Sequence, residues 1–525
     1  MGNGTANGGG VIALQSYLRG EWVRGSGRTS TLVNPATAEP VAETSTDGLD
    51  LGAALAYGRE VGGPALRALT FAERGTILRA LSSAIHEARD ALLEASTLNA
   101  GTTRSDGKFD IDGASATLAH YAALGQALGD RRLLVEEGEA IGRGARFYGT
   151  HVWTPRVGIA VHINAFNFPA WGLAEKAACA LLAGVPVLAK PATSTALLAY
   201  RCMETIVAAE VLPAGALQLL CGSAGDLLDH LEEQDVLAFT GSGDTGATLR
   251  RGDGVAARSV RVNVEADSLN ATVLAPSVDA EGDVYARFLR DAVLEITQKT
   301  GQKCTATRRI FVPEGLIDRV QRDLAERLAD VKVGDPANPE VRMGPLATAA
   351  QLRDFRDGVA RLEAAGARRV LGSPTEVSLV GADGRGFFVG PVLLRADGPD
   401  DAAAVHEHEV FGPCATLLPY RSLEDAIRGV AKGGGGLVAS VYGDDRKELA
   451  ALALGLAPHH GRVLIGSRTV AEQATAPGLV LPSCVHGGPG RAGGGEELGG
   501  ERGLRFYMQR TAFQGDRALL DRIFG

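Results

Sequence analysis

From Val157 onward, short apolar runs alternate with helical stretches of roughly 12 to 18 residues. The apolar runs read G-I-A-V-H-I, V-P-V-L-A-K, L-Q-L-L-C and V-L-A-F-T. This alternation predicts βαβ units and a doubly wound parallel sheet that binds its ligands at the carboxyl ends of the strands. A second alternation begins near Arg308, with a helix over Leu316 to Val331 and strands around Phe387 to Leu393 and Ala415 to Leu418. We therefore expect an α/β fold with two domains and a cleft between them.

The segments outside these alternations are predicted from their periodicity and composition. An amphipathic helix that stops at Gly101 is indicated by Leu78, Leu81, Ile85, Ala88 and Leu92. The final segment, Leu504 to Ala512, is predicted to be a strand that pairs outside its own domain. The glycine-rich residues 1–10 are expected to be disordered.

Composition excludes several classes of function. The 69 glycines among 525 residues are about twice the usual share, but they follow no three-residue period. The net charge is −9, and no basic stripe suggests a nucleic acid partner. The longest apolar stretch, Ala177 to Ala189, is too short to cross a membrane. Position 6 is Ala6, which a myristoylation signal does not carry, so we expect no membrane partner and a cytoplasmic location.

Cys304 is the cysteine most suited to chemistry. The six cysteines form no C-x-x-C pair, which favours reduced thiols. Cys304 lies in T-G-Q-K-C-T-A, where a cation and amide dipoles can lower the pKa of a partly exposed thiol. On spacing alone, this cysteine is either an inert core residue or a nucleophile.

Two turns after predicted strands have both a structural and a functional interpretation. In Phe166–Pro169, Asn167 is either a turn residue before a helix that starts at Pro169, or an amide donor for a developing oxyanion. In Phe239–Gly246, the free N–H groups that open a helix are suited to bind a pyrophosphate. The sequence H-E-H-E at His406–Glu409 is not interpreted as a metal site, and no metal is expected. The glycine runs lack the G-K-[ST] of a nucleotide P-loop.

Taken in order, these motifs resemble the aldehyde dehydrogenase superfamily over nearly the whole chain. The motifs are W-V at Trp22, N-P-A-T at Asn34, N-F-P, K-P-A at Lys190, F-T-G-S-x-x-x-G, Glu265, G-Q-K-C and E-V-F-G-P at Glu409. The resemblance implies a Rossmann-like dinucleotide-binding domain (11–136 and 157–272) and an α/β catalytic domain (273–499). It also implies oligomerisation segments (137–156 and 500–525) and a homodimer.

The resemblance assigns catalytic roles to five residues. Cys304 matches the nucleophile that forms a thiohemiacetal and then a thioester with a small aldehyde. Asn167 and the Cys304 N–H match the oxyanion hole, and Glu265 matches the base that activates water. Lys176 and Glu497 match a proton relay, although either one also fits a surface ion pair.

The resemblance also assigns cofactor-binding roles. Lys190 matches a ligand of the adenosine ribose, and Glu409 and Phe411 match the nicotinamide-ribose contacts. Gly241, Ser242 and Gly246 match the pyrophosphate turn. Where most NAD-dependent relatives carry a carboxylate, this chain has Thr193, followed by Ser194. Since hydroxyls tolerate a 2′-phosphate and a carboxylate repels it, we expect NADP to be preferred, with NAD possible.

Two other differences from the family pattern bear on the substrate and on the catalytic base Glu265. Glu265 lies in V-E-A-D-S-L-N, without the two glycines that usually follow it. The ending V-H-G-G-P-G-R-A-G-G-G-E-E-L-G-G replaces the usual P-F-G-G-x-K and resembles the subfamily of phenylacetate and benzoyl-CoA catabolism. That implies a CoA-linked substrate such as 3,4-dehydroadipyl-CoA semialdehyde. The alternatives are a CoA-acylating dehydrogenase, which usually lacks the base, and a non-catalytic binding descendant of the fold.

Overall fold

The computed structural model describes residues 6–7, 10–470 and 472–524, so most of the predicted disordered tail lies outside the described residues. Two seven-stranded sheets organise the chain. The first has five parallel strands in the order Arg261–Glu265, Val236–Thr240, Ala160–Ile163, Val187–Lys190, Leu217–Leu219, and an antiparallel hairpin of Ser16–Leu18 and Glu21–Val23. The predicted doubly wound sheet is confirmed.

Helices cover this first sheet. Their apolar faces and the strands between them form the largest core of the molecule, around Leu78, Leu182 and Val187. Helix Pro169–Ala183 is buried at every position and stops at Gly184, whose φ of 88° is left-handed. The helices of this part of the chain are Leu51–Tyr57, Gly63–Ala68, Phe71–Glu87, Arg89–Ala95, Arg104–Leu128, Pro169–Ala183, Ala196–Ala208, Gly243–Arg251 and Asp253–Ala257.

The second sheet is also mainly parallel. Its order is Arg368–Leu371, Val392–Arg395, Cys414–Tyr420, Arg309–Pro313, Ala271–Leu274, Gly436–Tyr442, His460–Gly466, with only the first strand antiparallel. Its helices are Asp283–Thr297, Ile317–Ala329, Ala349–Ala364, Ala404–Glu407, Leu423–Ala431 and Arg446–Leu456. The two-sheet α/β prediction therefore holds.

Smaller sheets complete the fold. Near the N-terminus the order is Ala6–Asn7, Val11–Ala13, Pro40–Thr44, Ser30–Val33, and two strand pairs are Val333–Gly334 with Leu379–Val380 and Val485–Gly487 with Glu496–Leu498. A further sheet pairs Met508–Asp516 with Phe147–Pro155, which also binds Leu134–Val135 and Glu139–Ala140. The C-terminal strand thus pairs with a segment more than 350 residues away. No helix in the described ranges is long and apolar enough to span a membrane.

Three predicted boundaries are wrong. Residues 501–506 are helical, and the strand begins only at Met508; helix Arg517–Phe524 follows it. The strand near Phe387 begins at Val392 instead, because the backbone of Phe387 bonds to Pro35 and Leu346 outside the sheet. The helix before Gly101 is broken at Ala88, whose ψ of 1° ends one helix before the next begins.

Candidate active site

One cavity gathers residues from distant parts of the sequence. Asn167 lies two residues before helix Pro169–Ala183, and Lys176 lies in the middle of that helix. Glu265 ends its strand in the first sheet. Cys304 follows the turn Gln298–Gly301, and His486 lies in strand Val485–Gly487. The cavity therefore gathers residues from both α/β parts of the chain.

The loop that carries Cys304 is held in an unusual backbone conformation. Lys299, Thr300 and Gly301 have φ values of 54°, 56° and 67°, so three consecutive residues are left-handed. A Cβ at Gly301 would lie 2.3 Å from the backbone of Gly412, so only glycine fits there. The Asn270 amide donates to the Cys304 carbonyl at 2.8 Å. These contacts fix the position of the thiol.

The Cys304 side chain is partly buried and lies beside an imidazole and a carboxylate. His486 Nε2 lies 3.9 Å from Cys304 Sγ and 3.1 Å from Glu265 Oε2. Burial and then the Glu265 carboxylate raise the pKa of the Cys304 thiol well above its ordinary value. For Glu265, burial favours the neutral acid, but His486 and Lys176 outweigh it and lower the pKa to about 2.

The expectation that a neighbouring cation lowers the pKa of the Cys304 thiol is therefore wrong. The Lys303 ammonium turns away from the cavity, where it lies 2.9 Å from Glu295 Oε2 and donates to Gln298 at 2.8 Å. Local polarity in the sequence does not reveal the direction in which a side chain points.

Lys176 and Glu497 belong to a buried ionic cluster, so the interpretation of either residue as part of a surface ion pair is wrong. Lys176 Nζ lies 2.8 Å from Glu175 Oε1 and 3.2 Å from Glu497 Oε2. Asn263 donates to the other oxygen of Glu497 at 3.1 Å. Burial raises the pKa of Glu497 to about 7. A carboxyl with that pKa gains and loses protons near neutral pH.

The Asn167 amide faces the loop of Cys304. Its Nδ2 donates to the Gln302 carbonyl at 3.0 Å, and its helix begins at Pro169. Asn167 is thus a turn residue that also lines the cavity beside the thiol. The two interpretations of F-N-F-P are compatible.

Six of the eight predicted cofactor residues lie at or after the carboxyl ends of two strands of the first sheet, Val187–Lys190 and Val236–Thr240. Lys190 and Ile163 are partners in the register, and the Gly241 N–H donates to the Glu265 carbonyl at 3.1 Å. Ser242 caps helix Gly243–Arg251, and the Thr245 N–H donates to its hydroxyl at 3.3 Å. A Cβ at Gly246 would lie 2.8 Å from Val264. Thr193 and Ser194 form the turn after Lys190.

Glu409 and Phe411 approach the site from the second sheet. Glu409 accepts from the Ser268 N–H at 2.9 Å, and its other oxygen lies 3.3 Å from the Arg308 guanidinium. That guanidinium also lies 5.3 Å from the centre of the Phe411 ring, which contacts Phe166 edge-on. These contacts join the loops of both units beside the cavity.

Two titratable residues of the cavity, His486 and Glu175, are absent from the sequence-based predictions. His486 could have been singled out because it is a titratable residue where most relatives have the phenylalanine of P-F-G-G. No feature of the sequence around Glu175 marks it as a site residue in the same way. In the H-E-H-E segment, both His406 nitrogens are engaged, one 3.0 Å from Arg309 and one 2.8 Å from the Pro399 carbonyl.

Comparison with known proteins identifies the family. The model of the aldehyde dehydrogenase family matches residues 22–513. The 3,4-dehydroadipyl-CoA semialdehyde dehydrogenase of Aromatoleum evansii is 45% identical over 480 residues, covering 91% of this chain and 93% of that protein.

Solved structures share the fold at low identity. The 3,6-anhydro-L-galactose dehydrogenase in complex with NAP has a TM-score of 0.83 at 22% identity, covering 96% of this chain and 100% of that one. Betaine aldehyde dehydrogenase from Staphylococcus aureus in complex with NAD+ has a TM-score of 0.82 at 23% identity, covering 96% and 95%. With the family match over nearly its full length, the chain belongs to the aldehyde dehydrogenase family.

Proposed function

We propose that this chain oxidises a CoA-linked semialdehyde to the carboxylic acid with NADP, through a thiohemiacetal and a thioester on Cys304. The observation that carries this proposal is the convergence of Cys304, Glu265 and Asn167 on one cavity. The retained nucleophile and amide argue against a non-catalytic descendant of the fold. The buried Glu265 argues against a CoA-acylating enzyme. In such an enzyme a thiol releases the acyl group, so no base is needed to activate water.

Cys304 attacks the aldehyde carbon through its thiolate, and the carbonyl oxygen becomes an oxyanion. Asn167 and the Cys304 N–H stabilise that oxyanion, for which one donor contributes about 2.7 to 4 kcal/mol. A bound nicotinamide dinucleotide supplies the hydride acceptor. Glu265 then takes a proton from a water whose oxygen attacks the thioester carbon. The C–S bond breaks, the carboxylic acid leaves, and Cys304 returns as the thiolate. Lys176 and Glu497 pass that proton outward, which the Glu497 pKa of about 7 favours.

The residues at the carboxyl ends of these first-sheet strands fit such a dinucleotide. Ser242 opens a helix whose free N–H groups suit a pyrophosphate. The Thr240 hydroxyl lines the cavity, is buried and has no hydrogen-bond partner among the described residues, so a polar ligand group would satisfy it. Lys190, Glu409 and Phe411 would contact the two riboses.

Thr193 is expected to determine the preference for NADP. Introducing the carboxylate of Thr193→Glu next to a 2′-phosphate costs several kcal/mol at an effective dielectric of about 20. We therefore expect kcat/KM with NADP to fall at least about 100-fold, while kcat/KM with NAD stays within a few-fold. Steady-state kinetics with both cofactors measure this.

The charge-matched control is Thr76→Glu, which lies on the exposed face of helix Phe71–Glu87. It should leave both values unchanged. A Thr193→Glu enzyme that still prefers NADP, or a native enzyme that prefers NAD, would contradict the assignment.

The substrate class rests on the 45% identical relative, which is named for 3,4-dehydroadipyl-CoA semialdehyde. We expect kcat/KM for that CoA semialdehyde to exceed that for a linear aldehyde of equal chain length by at least about tenfold, a difference of about 1.4 kcal/mol. Reduced-cofactor absorbance with both substrates measures the ratio. Free adipic semialdehyde is the control that lacks the CoA moiety. Equal values for all three would show that CoA is not recognised.

The predicted domains and homodimer remain part of the proposal. Residues 11–136 and 157–272 would form the cofactor domain, and residues 273–499 the catalytic domain. The sheet of Met508–Asp516 and Phe147–Pro155 carries exposed Phe147 and is the surface we assign to dimer contact.

A further inference from the structure

The Cys304 thiol has to ionise in surroundings that are rich in negative charge. Its nearest carboxylate is Glu265, and the carboxylates of Glu175 and Glu409 also disfavour the thiolate. The cation next to it in sequence, Lys303, is bound to Glu295. Lys176, which lines the cavity, is bound to Glu175 and Glu497. Neither lysine contacts the sulfur as a counter-ion.

His486 is the basic group that lies within hydrogen-bonding distance of the thiol. The buried Arg462 guanidinium, which donates to the Pro477 carbonyl, interacts with Cys304 through its charge. The same nitrogen, Nε2, lies 3.9 Å from Cys304 Sγ and 3.1 Å from Glu265 Oε2. The ring is 5% exposed and therefore lies inside the site. If the imidazole is protonated, its Nε2–H lies between the Cys304 thiolate and the Glu265 carboxylate. A protonated histidine beside a cysteine stabilises the thiolate and so activates the cysteine as a nucleophile.

The glycine-rich C-terminal stretch places His486 there. Strand Val485–Gly487 pairs with Glu496–Leu498, so that His486 is directly opposite Glu497. Gly487 has a φ of 145°, and a Cβ on it would lie 2.1 Å from the Gly495 carbonyl. The backbone of the stretch is therefore packed closely against itself next to His486.

We propose that His486 holds the thiol proton of Cys304 and serves as the counter-ion of the thiolate. This inference rests on the proposed role of Cys304 as the nucleophile. The S–H bond of Cys304 breaks, and its proton bonds to Nε2 of the neutral imidazole. Thiolate and imidazolium form together, so the net charge of the site is unchanged. Glu265 accepts from the same Nε2–H, which leaves its other oxygen free to act on water in the later hydrolysis.

The charges that face His486 favour the imidazolium. Glu265 is the nearest, and Glu175 and Glu497 act in the same direction from helix Pro169–Ala183 and strand Glu496–Leu498. Burial opposes the charge, but these carboxylates outweigh it and hold the pKa of His486 above its ordinary value. Lys176, which also faces the cluster, is neutralised by its two carboxylates.

The test measures the reactivity of the sulfur without turnover. Iodoacetamide alkylation of Cys304 is followed against pH by peptide mass spectrometry in the enzyme without added substrate, in a Cys484→Ser background because Cys484 is also partly exposed. In His486→Gln, we expect the alkylation rate at pH 7 to fall at least about tenfold, and the midpoint of the profile to move up by about one pH unit or more. The 240 nm thiolate absorbance should shift in the same way.

Two variants separate this role from a structural one. His486→Phe keeps an aromatic ring but no proton-holding nitrogen, and it should show the same loss. His460→Gln, which removes another buried histidine, should keep the native profile and control for general disturbance. A native alkylation profile in folded His486→Gln or His486→Phe, as judged by thermal melting, would overturn the proposal. Failure of Cys304→Ala to abolish turnover would instead contradict the proposed function.

Discussion

Replacing Cys304 by alanine is expected to lower kcat for aldehyde oxidation by at least about 10⁴-fold, because no thiohemiacetal and no thioester can then form. The change removes one sulfur from a cavity whose walls are fixed by the left-handed turn and the Asn270 contact. The cofactor should therefore bind as before. Steady-state kinetics measure the loss, and cofactor fluorescence measures the binding.

The matched control is Cys484→Ala, which removes the other partly exposed thiol. It should retain native kcat. If Cys304→Ala keeps more than about one per cent of native turnover, the reaction does not pass through this sulfur.

Replacing Glu265 by glutamine is expected to separate the two halves of the reaction. The amide keeps a polar contact to His486 but cannot take a proton from water, so the thioester accumulates. Reduced cofactor should appear as a rapid burst of about one equivalent per site, followed by turnover that is lower by about 10² to 10⁴-fold. Stopped-flow absorbance resolves both phases.

Glu496→Gln is the control for this experiment. Glu496 is close in sequence to the cluster but is exposed and bonded to Arg502. It should behave like the native enzyme. A Glu265→Gln enzyme that loses the burst together with the turnover would place this carboxylate before hydride transfer instead of after it.

Much of the fold follows from patterns that act over short distances. The buried runs of the two parallel sheets are continuous in the sequence, and the turn at Gly184 follows from a local conformational demand. The sequence pattern predicts a strand at residues 504–506, which are helical. The prediction fails because an apolar run has the same composition in a strand and in a short buried helix. Leu504 is fully buried there, but its helix is only six residues long.

The site was predictable where its residues lie in motifs and unpredictable where contacts join distant segments. Cys304 and His486 are 182 residues apart, and nothing near either one indicates the other. The Lys303 side chain points to Glu295, on the preceding helix. Such orientations depend on packing between elements, which a single sequence does not specify.

The covalent role of Cys304 is tested by the mass of the Cys304 peptide from Glu265→Gln enzyme that is mixed with NADP and the aldehyde and then quenched in acid. We expect this peptide to carry the mass of the acyl group in a thioester that hydroxylamine removes, in an amount equal to the burst. An unmodified Cys304 peptide alongside a full burst of reduced cofactor would contradict that role.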